Sequence, residues 1–116
     1  MQGYDDIKSL KKGYMKRLRL LETETNKLED LEVDAAEKET AYRKSKAKAY
    51  LTLLADDTKV TVIAALVGGK TADIRLLFKV SNGVLKAQKE NIKRIHAQIE
   101  GYRTLISIAK AELNIR

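Results

Sequence analysis

Residues 74–113 read IRLLFKVSNGVLKAQKENIKRIHAQIEGYRTLISIAKAEL. Phe78, Leu85, Ile92, Ile99, Ile106 and Leu113 recur every seven positions. Ile74, Ser81, Gln88, Ile95, Tyr102 and Ala109 fall between them and complete an alternating four-three spacing. That spacing lines one stripe of an α-helix with mainly apolar side chains, which a partner helix must cover. The first half of the chain offers the partner. Ile7, Tyr14, Leu21, Leu28, Ala35, Tyr42 and Ala49 keep a seven-residue seam of their own.

Two seams of this length predict an all-α fold: an antiparallel long-helix hairpin, coiled-coil-like, with a short connecting helix, in one domain over residues 1–116. Helix one is expected over about 4–54, the connector helix over about 57–67 and the last helix over about 71–114. Asp56-Asp57 interrupts the first pattern, and Asp57 or Thr58 is the candidate cap of the connector. Gly68-Gly69 is its candidate stop, and Thr71 the candidate cap of the last helix. The connector segment KVTVIAALV is rich in β-branched residues, but a lone strand would have no strand to pair with, so helix is preferred. With Leu54 opposite Thr71 at the turn, Asp34 would face Asn91, Glu24 would face Gly101 and Tyr42 would face Gly83.

Composition narrows the class. The chain has no Pro, Cys or Trp, and a Pro-free length favours uninterrupted helix. Without Cys there is no disulfide framework and no thiolate metal site, which fits a cytoplasmic location. The opening MQGYDDIKSLKKGY has no apolar h-region, so no signal peptide is expected, and no apolar run is long enough for a bilayer. Net charge is +7, unevenly spread: residues 1–20 carry about +4, 21–39 about −6, 40–54 about +4 and 76–116 about +5. A basic excess attracts nucleic acid or acidic partners.

Chemistry-bearing motifs are sparse. Gly69-Lys70-Thr71 resembles the end of a phosphate-binding loop, but the glycine required five residues before Gly69 is Ala64, so a helix-capping turn is the better reading. His96 is the sole histidine and has no second His or Cys to share a metal, so an ordinary seam-edge histidine near Glu32 is expected. Asp5-Asp6 and Asp56-Asp57 sit at predicted helix starts, where carboxylates favour the dipole. No nucleophile or oxyanion device is visible. The expectation is a non-enzymatic protein without cofactor or metal.

Two basic features remain. Arg43, Lys44, Lys46 and Lys48 lie beside Tyr42 and Tyr50. Lys79, Lys86, Lys89, Lys93, His96, Arg103 and Lys110 form a ridge on the last helix at heptad positions b and e. Spaced cations hold phosphates, and tyrosines stack on unpaired bases. Arg43, Lys44 and Lys48, with Lys79 across the hairpin, are the first candidates for nucleic-acid contact; Lys86, Lys89, Lys93 and Arg103 come second. The competing reading pairs the ridge with the acidic block through Glu29, Glu32, Asp34 and Glu39, with Glu32 and Glu39 at facing e positions. Leu77, Val84, Leu105 and Ile108, with Val80, fall off the seam and need cover. The short helix is expected to cover Leu77 and Val80, and a second subunit the rest, which makes a homo-oligomer.

The segment AYRKSKAKAYL at residues 41–51, the KTADIR entry at 70–75 and the closing YRTLISIAKAEL at 102–113 together resemble small proteins of phage recombination modules, including the UvsY-type recombination mediators. The resemblance spans much of the chain in layout. It implies a ring-like homo-oligomer that binds single-stranded DNA and helps a strand-exchange recombinase load. The chain departs from that pattern in lacking Trp and in its short apolar connector. Lack of Trp also removes the Trp-x-Gly turn of small secreted WXG-type proteins. A different class stays open: a structural or adaptor coiled coil that docks a protein partner, such as a phage assembly factor or an inhibitor of a host enzyme.

Overall fold

The computed structural model describes residues 2–115. Among them three α-helices follow one another: α1 (Gln2–Ala55), α2 (Val60–Lys70) and α3 (Ala72–Ile115). The all-α helical hairpin read from the two heptad seams is the fold observed. Two compact units divide the chain. One joins Met1–Leu28 to Ala87–Arg116, and the other is Glu29–Lys86.

The Glu29–Lys86 unit holds the turn. Asp57 adopts φ 57, the left-handed region that Asp tolerates better than most residues. Its N–H donates to the Leu54 carbonyl at 3.2 Å, and the Thr58 N–H to the Leu53 carbonyl at 3.1 Å. This paired closure satisfies carbonyls at the end of α1. Asp57 therefore ends α1 and does not cap α2, whose N-cap is Lys59 with no side-chain capping bond. The Gly68-Gly69 stop is likewise absent. Both glycines are helical within α2, and no glycine has positive φ among the described residues.

Thr71 joins α2 to α3. Its N–H and its Oγ1 hydroxyl both donate to the Val67 carbonyl, at 3.0 and 2.7 Å. Its own carbonyl accepts the Arg75 N–H at 2.9 Å, opening α3. The hydroxyl thus closes α2 and leaves the start of α3 to the backbone, unlike the side-chain cap expected.

The returning arm consequently begins at Val60. Leu53, Ile63 and Val67 form a buried cluster with Ala49 packed against it. Val67 and Thr71 stand seven positions before Ile74 and Phe78 and are 3% and 2% exposed, so the seam extends back through α2. Placing the fold-back at Asp56–Lys59 shifts the pairing. The Ser81 hydroxyl donates to Asp34 Oδ2 at 3.0 Å, ten residues short of the Asn91 expected opposite. Tyr42 stacks on Phe78 at 5.8 Å and 19°, where Gly83 was expected. Because α2 is spent on the seam against α1, it covers neither Leu77 nor Val80, which are 54% and 56% exposed.

In the other unit, early residues of α1 meet late residues of α3. Leu113 packs on Gly3 and the Tyr102 ring on Gly13. Gln88 Nε2 donates to both the carbonyl and Oε2 of Glu24, at 2.9 and 2.8 Å. Across both units, every seam position named above is buried or half-buried, with Ala35, Ile95 and Ile99 buried. A second row on α1 shares this burial: Leu10, Arg17, Glu24, Leu31, Lys38 and Ser45. Its polar members hid it from the apolar pattern.

The glycines give a test of opposite signs. A Cβ at Gly68 or Gly83 would meet nothing within 4 Å, whereas at Gly13 it would meet the Tyr102 ring at 2.7 Å. Gly68→Ala and Gly83→Ala should each stabilise by about 0.5–1 kcal/mol through helix propensity. Gly13→Ala should destabilise, because the ring must move. Urea denaturation of the three variants measures both signs.

Candidate nucleic-acid interface

The 43–48 cluster sits on α1 in the Glu29–Lys86 unit. Ala41, Ala47 and Ala49 favour helix there, and the helix holds Arg43, Lys44, Lys46 and Lys48 exposed. Arg43 Nη2 pairs with Glu39 Oε1 at 2.7 Å, one turn earlier. Lys46 Nζ stands 5.9 Å from the Tyr42 ring centroid. The two tyrosines have separate fates: Tyr42 is committed to Phe78 in the seam, while Tyr50 is 42% exposed. Lys44 borders an apolar groove with Val33, Ala36 and Ala41.

On α3, Lys79 and Lys86 belong to the same unit, and Lys89, Lys93 and Arg103 to the other. All five are exposed. The pairing with the acidic block does not form as expected. All five ion pairs among the described residues join positions three or four apart on one helix: Lys27–Glu24, Lys38–Asp34, Arg43–Glu39, Lys93–Glu90 and Arg103–Glu100. With Asp34 set opposite Ser81, each long side chain takes its nearest neighbour on the same helix. His96 is exposed and in no ion pair among the described residues. Lys93–Glu90 is 75% and 67% exposed at its side chains. Solvated pairs of that kind bind weakly and yield readily to a polyanion.

A more structured feature lies in the unit formed by the two chain ends. Arg103 Nε donates to the Tyr14 hydroxyl at 3.3 Å, with its guanidinium carbon 5.9 Å from the Tyr14 ring centroid. Nη1 of the same residue holds Glu100 Oε1 at 2.7 Å. The Tyr14 hydroxyl, more than Glu100, holds the Arg103 pKa above its ordinary value. Lys11, Met15 and Lys110 join this pair around a groove of about 420 Å³. A fixed guanidinium beside an aromatic ring and two lysines suits a phosphate with an adjoining base. Sequence reading found Arg103 and Lys110 but not Lys11 or Tyr14. The signal was there only as an aromatic on a seam between basic turns.

Leu77, Val84, Leu105 and Ile108 are each about half exposed, at 54%, 47%, 50% and 50%. Val62, Leu66 and Leu76 are also exposed and extend this apolar character into α2 and the start of α3. Among the described residues no group of three or more His, Cys, Asp or Glu is placed to hold a metal ion, and no helix is long and apolar enough to cross a membrane. Lys70 ends α2 and Thr71 is turned back onto Val67, so Gly69-Lys70-Thr71 forms a helix junction. Comparison with known proteins finds no matching family model, no matching curated protein and no matching solved structure.

The acidic block contributes one titration-sensitive contact. The Gln88 amide holds the Glu24 carboxyl below its ordinary range, with Lys27 adding to the effect against partial desolvation. A lowered folded pKa means that the contact contributes fully above the unfolded value, about 4.3, and is lost as pH falls through the folded one. Thermal melts between pH 6 and pH 3 should therefore show a shallower acid loss in Glu24→Gln than in the parent.

Proposed function

We propose that this chain is a non-enzymatic, homo-oligomeric protein that binds single-stranded nucleic acid, acting as an accessory factor of the phage recombination type its sequence resembles. The observation that carries the reading is the charge arrangement. The ridge and the 43–48 cluster are exposed; the ridge's ion pairs are local, solvated and within α3, and in the cluster only Arg43 is paired, with Glu39 at the edge of the acidic block one turn away. These cations stay available to an external polyanion. The mechanism is electrostatic: Lys and Arg side chains replace the counterions along a phosphate backbone without reading its sequence, and oligomerisation multiplies weak contacts. Arg43, Lys44, Lys48 and Lys79 are the first contacts, with Lys86, Lys89, Lys93 and Arg103 second. A recombinase is the protein partner that the resemblance implies.

A second reading draws on the exposed apolar side chains of α2 and α3. In it the chain is a structural or adaptor coiled coil, and Leu66, Leu76, Leu77 and Val80 dock a protein.

Fluorescence anisotropy with labelled oligo-dT across a salt series separates the two. Binding should weaken linearly in log–log form, with a slope near −0.7 per phosphate neutralised. Arg43→Glu, Lys44→Glu and Lys48→Glu together should weaken it by orders of magnitude while leaving the melting temperature nearly unchanged, since none of the three lies on the seam. Absence of binding at low salt would rule out the nucleic-acid reading and leave the adaptor.

Assembly is a separate expectation. Light scattering should show a homo-oligomer for the parent, and Leu105→Lys with Ile108→Lys should dissociate it with helicity retained. A monomeric parent at micromolar concentration would remove the oligomeric part of the proposal.

A further inference from the structure

Arg17 is the one buried side-chain nitrogen or oxygen site without a partner among the described residues. Its Nε is shielded from solvent and makes no hydrogen bond. It occupies the row of α1 that also carries Leu10, Glu24 and Leu31, where an unpaired guanidinium N–H needs a physical reason. The same residue lines a cleft of about 480 Å³ with Ser9, Lys12, Gly13, Lys16 and Tyr102, all in the unit formed by the two chain ends.

The lining is chemically one-sided. It has three cations, two hydroxyls and no carboxylate. None of Lys12, Lys16 and Arg17 is in an ion pair among the described residues. Lys12 and Lys16 stand four apart on α1, an arrangement that costs the free helix stability through like-charge repulsion. Gly13 shapes the cleft. A Cβ there would meet Cε1, Cζ and the hydroxyl of Tyr102 at 2.7 to 2.8 Å, so only glycine lets that hydroxyl lie against α1 among the lysines. Three cations and two hydroxyls around one cleft, with no carboxylate among them, suit an anion with several acceptor oxygens.

We infer that the Ser9–Lys12–Lys16–Arg17–Tyr102 cleft binds a phosphate group. It is a site apart from the ridge and the 43–48 cluster, and none of its residues was singled out from sequence for this role. Its phosphate is either a diester of a nucleic-acid strand or a free phosphate; the chemistry recognised is the same tetrahedral oxyanion.

The test uses the full-length ¹⁵N-labelled protein and follows the Arg17 side-chain Nε–Hε resonance. Inorganic phosphate and oligo-dT are titrated separately, with chloride at matched ionic strength as control. A saturable shift with phosphate, with oligo-dT, or with both supports the cleft; a response to oligo-dT alone assigns it to a strand, and a response to phosphate alone assigns it to a free ligand. Lys12→Gln with Lys16→Gln, both exposed, should weaken the response about tenfold or more without lowering the melting temperature. Tyr102→Phe, which keeps the ring on Gly13, should weaken it less. No shift with either phosphate source, or an equal shift with chloride, overturns the inference. The phosphate arm should survive in the chain with Arg43, Lys44 and Lys48 reversed. Failure of the single-strand reading is thereby distinguishable from failure of the cleft.

Discussion

The left-handed turn at Asp57 is the constraint on which the pairing of this chain depends. A helix as long as α1 leaves its last carbonyls without partners, and the Asp57 and Thr58 amides close two of them on Leu54 and Leu53. That closure reverses the chain within Asp56–Lys59, and α2 becomes the first stretch of the returning arm. Ile63 and Val67 then reach Leu53, Thr71 takes a seam position, and Ser81 comes to Asp34. A fold-back placed a few residues later would set different side chains against one another along the arm.

Apolar contact alone would tolerate sliding between such helices, since leucine and isoleucine pack acceptably at several heptad offsets. The polar residues in the seam discriminate between offsets. Gln88 donates two bonds to Glu24, and Ser81 donates one to Asp34. One heptad of slip would set one of the two carboxylates against an isoleucine, Ile95 opposite Glu24 or Ile74 opposite Asp34. These residues interrupt the stripe for a physical reason, and they draw acidic side chains inward that would otherwise face the basic ridge.

That distribution of charge governs what the surface can do. Carboxylates at Asp34, Glu39, Glu90 and Glu100 are each held by a cation on the same helix. The Glu90 and Glu100 pairs are exposed and weak, so their cations remain exchangeable. At Arg103 the partner is an aromatic hydroxyl as well as Glu100, and the two bonds orient the guanidinium. Arg17 is the contrasting case, a guanidinium whose Nε has no partner at all. The chain therefore offers diffuse charge along its helices and two concave places, beside Tyr14 and beside Tyr102, where several donors converge.

Much of this fold was legible in the residues. A seven-residue period asks for a helix with a helical partner, so Phe78 to Leu113 and Ile7 to Ala49 determined the all-α hairpin and named Ala35, Ile95 and Ile99 among its buried positions, but not Leu53, Ile63, Val67 or Thr71. The basic character of 43–48 and of the α3 ridge was equally legible, because charge belongs to composition. The turn was not. Gly68-Gly69 looks like a stop and Asp57 like a cap, and only packing of Ile63 and Val67 on Leu53 decides that the glycines stay helical while Asp57 turns left-handed. Nor were the concave sites legible. Tyr14 and Arg103 are 89 residues apart, and Gly13 and Tyr102 meet only once the register is set. Local periodicity specifies which face of a helix is buried; which residue stands opposite is a long-range offset, determined by turn geometry and a few buried polar bonds that local pattern does not encode.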